Sequence, residues 1–486
     1  MGDTKPVKVL VLTIGNGINL LINFLTLPYL VRSLSYEDYG SYGQVLIVIS
    51  FLQGLFTFNL NQVANIFFAR KEFEQKVVFS TLMRCASILA LGGALLMLAG
   101  VPLISDSFDN PALDRMLFLS VVNLFGQIPI PILLSVLIFR GQVKKLTSIL
   151  ILTNIVKVAM MFIAIQFYNS VDVLMIGLSI VSVLQALVLF FNVSSEIRSL
   201  RFFEKKVANE IFKVATPLAM TSIIERLVFY IDGIMISGML STTDYALYRA
   251  GAIEVPFIAS LYGSVAAVVL PEVARLFYDR RHDEIIRLKR KVISTTAFLV
   301  YPVLVYLLFF AEPIVSFYLS EKYLASTMVF AIFNLTLLIR INDYQDIIIV
   351  SGNTRFIFYT IVILTAVNIG LNYLLIKAFG IYGSAAAFIL HLFLLASALM
   401  YKTTRLMHCR IGDLFDFGVI GRIVLVSLSL AMPIWLTYSF VYNTVWLVIF
   451  AAPLYMLFVL WSGIKLKLVD PQLVDQMKGR ILRKKS

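Results

Sequence analysis

Charge is what this chain most lacks. Asp, Glu, Lys and Arg make up 14% of its 486 residues, against about 25% in an ordinary soluble domain. With 60% apolar residues and a mean hydropathy of +0.90, it has too little polar surface to face water all round. That excludes a soluble enzyme, a disordered protein and a nucleic-acid binder with a membrane anchor. Cysteine is scarce too. Cys85 and Cys409 are too few for a disulfide framework and read as small apolar residues near cytoplasmic helix ends. Three scattered histidines and two distant cysteines predict no metal site. The absence of a Walker motif predicts no ATP hydrolysis, and no other cofactor is indicated. No small-residue cleavage site follows the first apolar stretch, which begins behind Lys5 and Lys8. That stretch therefore reads as an uncleaved anchor.

What is present is a series of long apolar runs, each near the ~20 residues that cross a bilayer. The expected spans are 9–31, 41–69, 78–104, 113–139, 146–168, 171–194, 209–239, 244–273, 292–319, 324–350, 356–378, 382–401, 418–441 and 444–463. Runs such as Ile88 to Ala99 and Val445 to Leu460 do not alternate polar with apolar, so they are helices and not barrel strands. The fold class is all-α, a polytopic membrane protein of about fourteen transmembrane helices.

Basic residues give the orientation. With the N-terminus inside, the cytoplasmic connections and tail hold 30 Lys and Arg. Among them are Arg70, Arg140, Arg198, Arg275, Lys289, Arg290, Lys402, Arg405 and Arg410. The outer connections hold Arg32, Arg115, Lys322 and Lys377. Such a bias places both termini in the cytoplasm and accounts for the net charge of +13 without nucleic acid. In the tail, Asp470 and Pro471 start an amphipathic basic helix on the inner leaflet, the alternative being a frayed basic tail.

The chain repeats itself. Leu34-Ser35-Tyr36-Glu37-Asp38-Tyr39-Gly40-Ser41-Tyr42 and Leu240-Ser241-Thr242-Thr243-Asp244-Tyr245-Ala246-Leu247-Tyr248 both read L-S-x-x-D-Y-x-x-Y. Each copy lies between the first and second span of a half, and Ala69-Arg70 is echoed by Ala274-Arg275. Two six-helix lobes related by a parallel repeat, plus two C-terminal helices, are expected. The expected organisation is a lobe at 1–195, a cytoplasmic linker at 196–208, a second lobe at 209–410, extra helices at 411–464 and the basic tail at 465–486.

Leu27-Pro28-Tyr29-Leu30-Val31-Arg32 with Asp38-Tyr39-Gly40 resembles the start of the polysaccharide flippases of the multidrug/oligosaccharidyl-lipid/polysaccharide exporter superfamily. Tyr245 to Arg249, Pro256 and Leu270-Pro271 resemble the matching part of their second lobe. Gly380-Ile381-Tyr382-Gly383-Ser384 through Ala387 resembles the turn before their twelfth helix. The resemblance implies a transporter, not an enzyme. It would move undecaprenyl-pyrophosphate-linked sugar units, such as O-antigen, capsule or exopolysaccharide repeats, across the bacterial inner membrane by alternating access. Its implied partners are the lipid-linked glycan, membrane lipid and, further on, a polysaccharide polymerase and chain-length regulator. The alternatives are a drug/cation antiporter or lipid II flippase of the same superfamily, and a membrane polymerase or ligase. Short outer connections argue against the last.

Ionisable groups inside a membrane span cost at least ~2.5–3.5 kcal/mol each and mark function by default. Lys157 lies midway along the fifth span, Glu225 and Arg226 midway along the seventh, Arg249 and Glu254 on the eighth, and Arg340, Asp343 and Asp346 on the tenth. Lys157, Arg226, Arg249 and Arg340 are the expected substrate-binding cations, since guanidinium and ammonium groups suit a pyrophosphate. Glu225, Glu254, Asp343 and Asp346 are the expected ion-coupling carboxylates, for a proton or Na+ gradient. The competing readings are structural: an Arg340–Asp343 pair at i, i+3 and Arg249 snorkelling to the outer surface. Asn19, Asn23, Asn59, Asn154, Asn368 and Asn372 read as interhelical glue, Pro129 and Pro131 as a kink, and His391 as a satisfied helix contact.

Overall fold

The computed structural model describes residues 5–466 and 468, except 71, 201, 254 and 443; a few helical side chains, that of Glu225 among them, also lie outside the described set. Glu254 and the tail from 469 onward fall outside the described residues. Every regular element among them is a helix. The first six expected spans form α1 (Lys5–Ser33), α2 (Tyr36–Thr57), α3 (Leu60–Arg70), α4 (Gln75–Ser107), α5 (Ala112–Gln127), α6 (Ile130–Phe139), α7 (Val143–Tyr168) and α8 (Val171–Asn192). Then come α9 (Lys205–Met239), α10 (Thr242–Gly251), α11 (Pro256–Tyr278), α12 (His282–Phe309) and α13 (Ala311–Tyr318). The remainder is α14 (Thr327–Asn334), α15 (Asp346–Val350), α16 (Thr354–Met407), α17 (Ile411–Leu414), α18 (Phe417–Thr437) and α19 (Val445–Lys465).

Twelve helical stretches among the described residues are long and apolar enough to cross a membrane. Two features separate this number from the fourteen expected spans. One of the twelve is α16, whose 54 residues bend at Gly380. There φ is +58° and ψ −136°, a conformation only glycine adopts at little cost. Each arm exceeds the ~20 residues a crossing needs. The tenth expected span, 324–350, is not one helix. It breaks into a 3-10 turn, α14, a second 3-10 turn over Leu335–Leu338, an irregular stretch and α15. The second span is also broken, at Phe58 and Asn59, which take φ of 49° and 53°. The fourth ends at Gln127 and restarts at Ile130, where Pro129 and Pro131 were expected to kink it.

The repeated motif is a pair of helix starts. Ser35 Oγ accepts the Asp38 backbone N–H at 2.9 Å and donates to Asp38 Oδ2 at 2.8 Å. Ser241 and Asp244 repeat this at 3.1 and 2.6 Å. Both are N-caps in which the third helical residue answers the cap, so the two copies fold alike.

The chain divides into two compact units, Met1–Arg249 and Ala250–Ser486. In the first of them α9 packs along α2. Lipid does not drive helices together, so small residues that permit close approach matter most. In the first unit α5 packs on α8, where a Cβ on Gly126 would stand 2.4 Å from the Ser182 carbonyl carbon. Gly126→Ala is therefore expected to lower stability by about 1–3 kcal/mol. Gly370→Ala, which meets nothing within 4 Å, should be neutral or stabilising; melting curves in detergent check the pair.

In the second unit α12 packs on α18, and α19 packs on both. Tyr455 Oη reaches back from α19 to donate to the Pro302 carbonyl at 3.1 Å, and Tyr306 donates to the Val448 carbonyl. Buried phenols thus tie α19 to α12, and Tyr455 also reaches the Ser427 carbonyl of α18 at 3.3 Å. At the start of α18, Asp416 accepts the Val419 N–H and pairs with Arg290. The N–H first, then the arginine, hold its carboxyl below the usual range.

Candidate functional site: cationic groups within the membrane-spanning helices

In the first unit, α2 carries a stripe of close approaches at Gly40, Gly43, Ile47 and Gly54. A Cβ on Gly40 would stand 2.4 Å from the Thr242 carbonyl oxygen, and Ile47 fills the space above Gly233 of α9. The other two positions receive arginines. Arg249 of α10 lies against Gly43, and Arg226 of α9 lies against Gly54, where a Cβ would be 2.1 Å from its Cδ. Gly43 and Gly54 are eleven residues apart, so the two guanidiniums are spaced by roughly 16 Å along one face of α2.

Arg249 is caged by the repeated motif. Its guanidinium sits 5.6 Å from the Tyr39 ring and 5.4 Å from the Tyr42 ring. It donates to the Gly43 carbonyl at 3.2 Å and to Tyr245 Oη at 3.5 Å. These are cation–π and hydrogen-bond contacts within the protein, not the reach to the outer surface that snorkelling would need. No carboxylate stands within ion-pair distance of Arg249, Arg226 or Lys157 among the described residues.

Lys157 occupies a different place. It lies half-buried on α7, which packs along α1. Asn154 donates to Asn19 across this contact at 3.2 Å. One turn further along the two helices stand Lys157 and Asn23. The structure brings Arg226 and Arg249 to one helix face and leaves Lys157 on another pair of helices.

In the second unit the interrupted tenth span borders a cavity of about 350 Å³ that is polar along that segment. Arg340, Asn342, Asp343, Tyr344 and Gln345 line it with Tyr262, and Ile339 with Leu392, Leu395, Ala396 and Leu399 of α16 makes the rest of the wall apolar. Non-helical backbone is tolerated at membrane depth only where its freed groups find partners, and here side chains supply them. Tyr301 donates to the Leu338 carbonyl at 2.9 Å, Tyr344 to Ile339 at 3.0 Å, and Lys289 to Asp343 at 2.8 Å. The Gln345 N–H is taken by Asp343 Oδ1 at 3.0 Å. The Asn342 side-chain oxygen is buried and has no hydrogen-bond partner among the described residues.

Asp346 is placed differently from Arg340 and Asp343. It forms an ion pair at 2.6 Å with Lys289, the two side chains 2% and 3% exposed. The charge pattern of the sequence predicts Lys289 as a cation of a cytoplasmic connection; the structure buries it instead. The signal available was the helical spacing of Lys289 with Ile285 and Ile293 on the buried face of α12. The asparagines do bind helices together. Asn59 donates from the α2–α3 break to the Leu218 carbonyl at 2.8 Å. Asn372 accepts from Ser384 at 2.7 Å, and His391 meets the Leu364 carbonyl at 3.2 Å.

Residues 29–328 match the sequence profile of a family described as "Polysaccharide biosynthesis protein". The chain belongs to this family. Its long apolar helices make it a multi-pass membrane protein. The capsular polysaccharide biosynthesis protein CapF of Staphylococcus aureus is 20% identical over 76% of this chain and 92% of its own length. Among solved structures, the lipid II flippase MurJ in an inward closed conformation superposes with a TM-score of 0.74 at 18% identity, covering 95% of this chain and 99% of MurJ. An inward-facing multidrug resistance MATE transporter gives 0.62 at 13% identity, covering 83% and 98%. At these identities the two structures speak for the fold alone.

Proposed function

We propose that this member of the family carries undecaprenyl-pyrophosphate-linked oligosaccharide units, the precursors of an O-antigen, capsule or exopolysaccharide, across the bacterial inner membrane. Both termini would lie in the cytoplasm, on the basic side. The observation that carries this reading is the set of cations held at membrane depth. Lys157, Arg226 and Arg249 have no carboxylate beside them among the described residues, and Arg340 opens into a polar cavity. Groups so costly to bury suit an anion that itself has to cross the apolar layer. A pyrophosphate offers oxygens for the forked guanidinium, and the amides and phenols of the Arg340 cavity suit sugar hydroxyls. A drug cation would be repelled by the same groups. If a proton or Na+ drives the cycle, Asp343 is the described carboxylate that lines a cavity, while Asp346 is engaged with Lys289.

The test follows lipid-linked glycans by mass spectrometry in cells depleted of the protein, with a probe that reaches only the outer leaflet. Complete units are expected to accumulate on the cytoplasmic leaflet. Wild-type protein should relieve this, and Lys157→Ala or Arg340→Gln should relieve it at least tenfold less well. Normal arrival of units at the outer leaflet in depleted cells overturns the proposal. Accumulation of units at the outer leaflet would point to a polymerase or ligase instead.

A further inference from the structure

Beside the polar cavity lies a larger apolar one of about 630 Å³. The two share Ile339, Tyr344 and Ala396. Leu338, Leu390 and Phe393 wall it along the spans, and Ile411, Phe415 and Phe417 close it at the base. Phe393 and Phe417 are each 60% exposed, so the cavity opens on the lipid-facing exterior while Met400 and Ala396 lie buried at its back. A methylene fills about as much space as a water molecule, ~30 Å³. The cavity therefore has room for roughly twenty, about one fatty-acyl chain.

Its mouth is basic. Arg405 follows the wall residues Tyr401 and Thr404 on α16 and lies 5.3 Å over the Tyr401 ring. Arg410 directly precedes Ile411, and Arg422 is five residues beyond Phe417, donating one turn back to the Gly418 carbonyl. Lys402 lies over the Phe356 ring at 5.4 Å. Two acids are nearby. Asp413 accepts the Arg410 backbone N–H, and Asp416 is held by Arg290 and the start of α18. Counting Arg290, five cations and two carboxylates lie on or against the helix ends that close the base of the cavity, so the charge there is net positive. An apolar slot ending in excess positive charge fits a molecule with a chain and an anionic phosphate.

We propose that this cavity binds one acyl chain of an anionic phospholipid from the cytoplasmic leaflet, with Arg405, Arg410 and Arg422 receiving its phosphate. The chain packs on Tyr344, whose hydroxyl holds the broken segment that carries Arg340. Lipid occupancy is thereby coupled to the shape of the polar cavity. The site stands independently of what the protein transports.

Thermal unfolding and native mass spectrometry of the purified full-length protein in neutral detergent test it. Palmitoyl-oleoyl phosphatidylglycerol is added against palmitoyl-oleoyl phosphatidylcholine. Phosphatidylglycerol should bind at least tenfold more tightly and raise the midpoint. The triple variant Arg405→Gln, Arg410→Gln, Arg422→Gln should lose that preference. Ser397→Trp, which fills the cavity from an exposed wall position, should lose binding of both lipids while keeping the wild-type elution volume. Equal binding of the two lipids, an unchanged preference in the triple variant, or wild-type binding by Ser397→Trp overturns the proposal. So does displacement of phosphatidylglycerol by an equimolar long-chain polyprenyl phosphate, which would make an isoprenoid the occupant.

Discussion

Lys289→Ala should cost about 3–5 kcal/mol of stability, the usual consequence of removing one partner from a buried ion pair. The geometry says why. The ammonium group donates at 2.6 Å to Asp346 and at 2.8 Å to the Asp343 carbonyl. Alanine strands a buried carboxylate and a backbone oxygen together, in a segment that has already given up its helical hydrogen bonds. Asp346→Ala leaves a buried ammonium with the Asp343 carbonyl but no counter-charge, and should cost a comparable amount. The double variant Lys289→Met, Asp346→Leu removes both charges and fills the volume, so most of the loss should return. Thermal unfolding in detergent measures all four proteins. A single variant within about 1 kcal/mol of wild type, or a double variant as unstable as the sum of the singles, would show that the pair does not hold this segment. Because the same stretch carries Arg340, transport should fall in the single variants and recover in part in the double.

The membrane spans were legible in the sequence because hydropathy is a sum over neighbours in the chain. So was the repeat, whose serines and aspartates cap α2 and α10 by contacts three residues long. What hydropathy averages away is where a helix stops inside an apolar run. The second span breaks at Asn59, in the left-handed region that asparagine tolerates better than most residues. The tenth breaks at Arg340 to Gln345, where Asn342 and Asp343 offer the backbone other partners. Both breaks rest on residues far away in sequence, α9 for one and Tyr301 and Lys289 for the other. The arginine positions carry the same lesson. Type and depth were readable, but the surroundings were not. Arg226 and Arg249 lie on one face of α2 because Gly43 and Gly54 leave room for them. Eleven-residue glycine spacing is inconspicuous in a chain with 25 glycines.

Arg249→Leu should lower transport at least tenfold and destabilise the packing of α10 on α2 by about 2–4 kcal/mol, since each desolvated cation–π contact contributes ~2 kcal/mol or more. The side chain fits its cage by shape as well as charge. A planar guanidinium lies over the Tyr39 and Tyr42 rings while its edge donates to the Gly43 carbonyl and Tyr245. An ammonium is a compact, strongly hydrated point charge and cannot make both kinds of contact. Arg249→Lys should therefore recover less than half of the lost activity. The rings and the hydroxyls can be separated. Tyr42→Phe keeps the π face and should stay near wild type, whereas Tyr42→Leu removes it and should approach Arg249→Leu. In a double-mutant cycle, Arg249→Leu with Tyr42→Leu should show a coupling of about 1 kcal/mol or more, read from unfolding curves. The transport arm uses the glycan assay in depleted cells. Wild-type transport by Arg249→Leu would remove this residue from both the substrate path and the packing that supports it. Loss of transport without loss of stability would assign the caged guanidinium to the anion, with its tyrosines acting to position it.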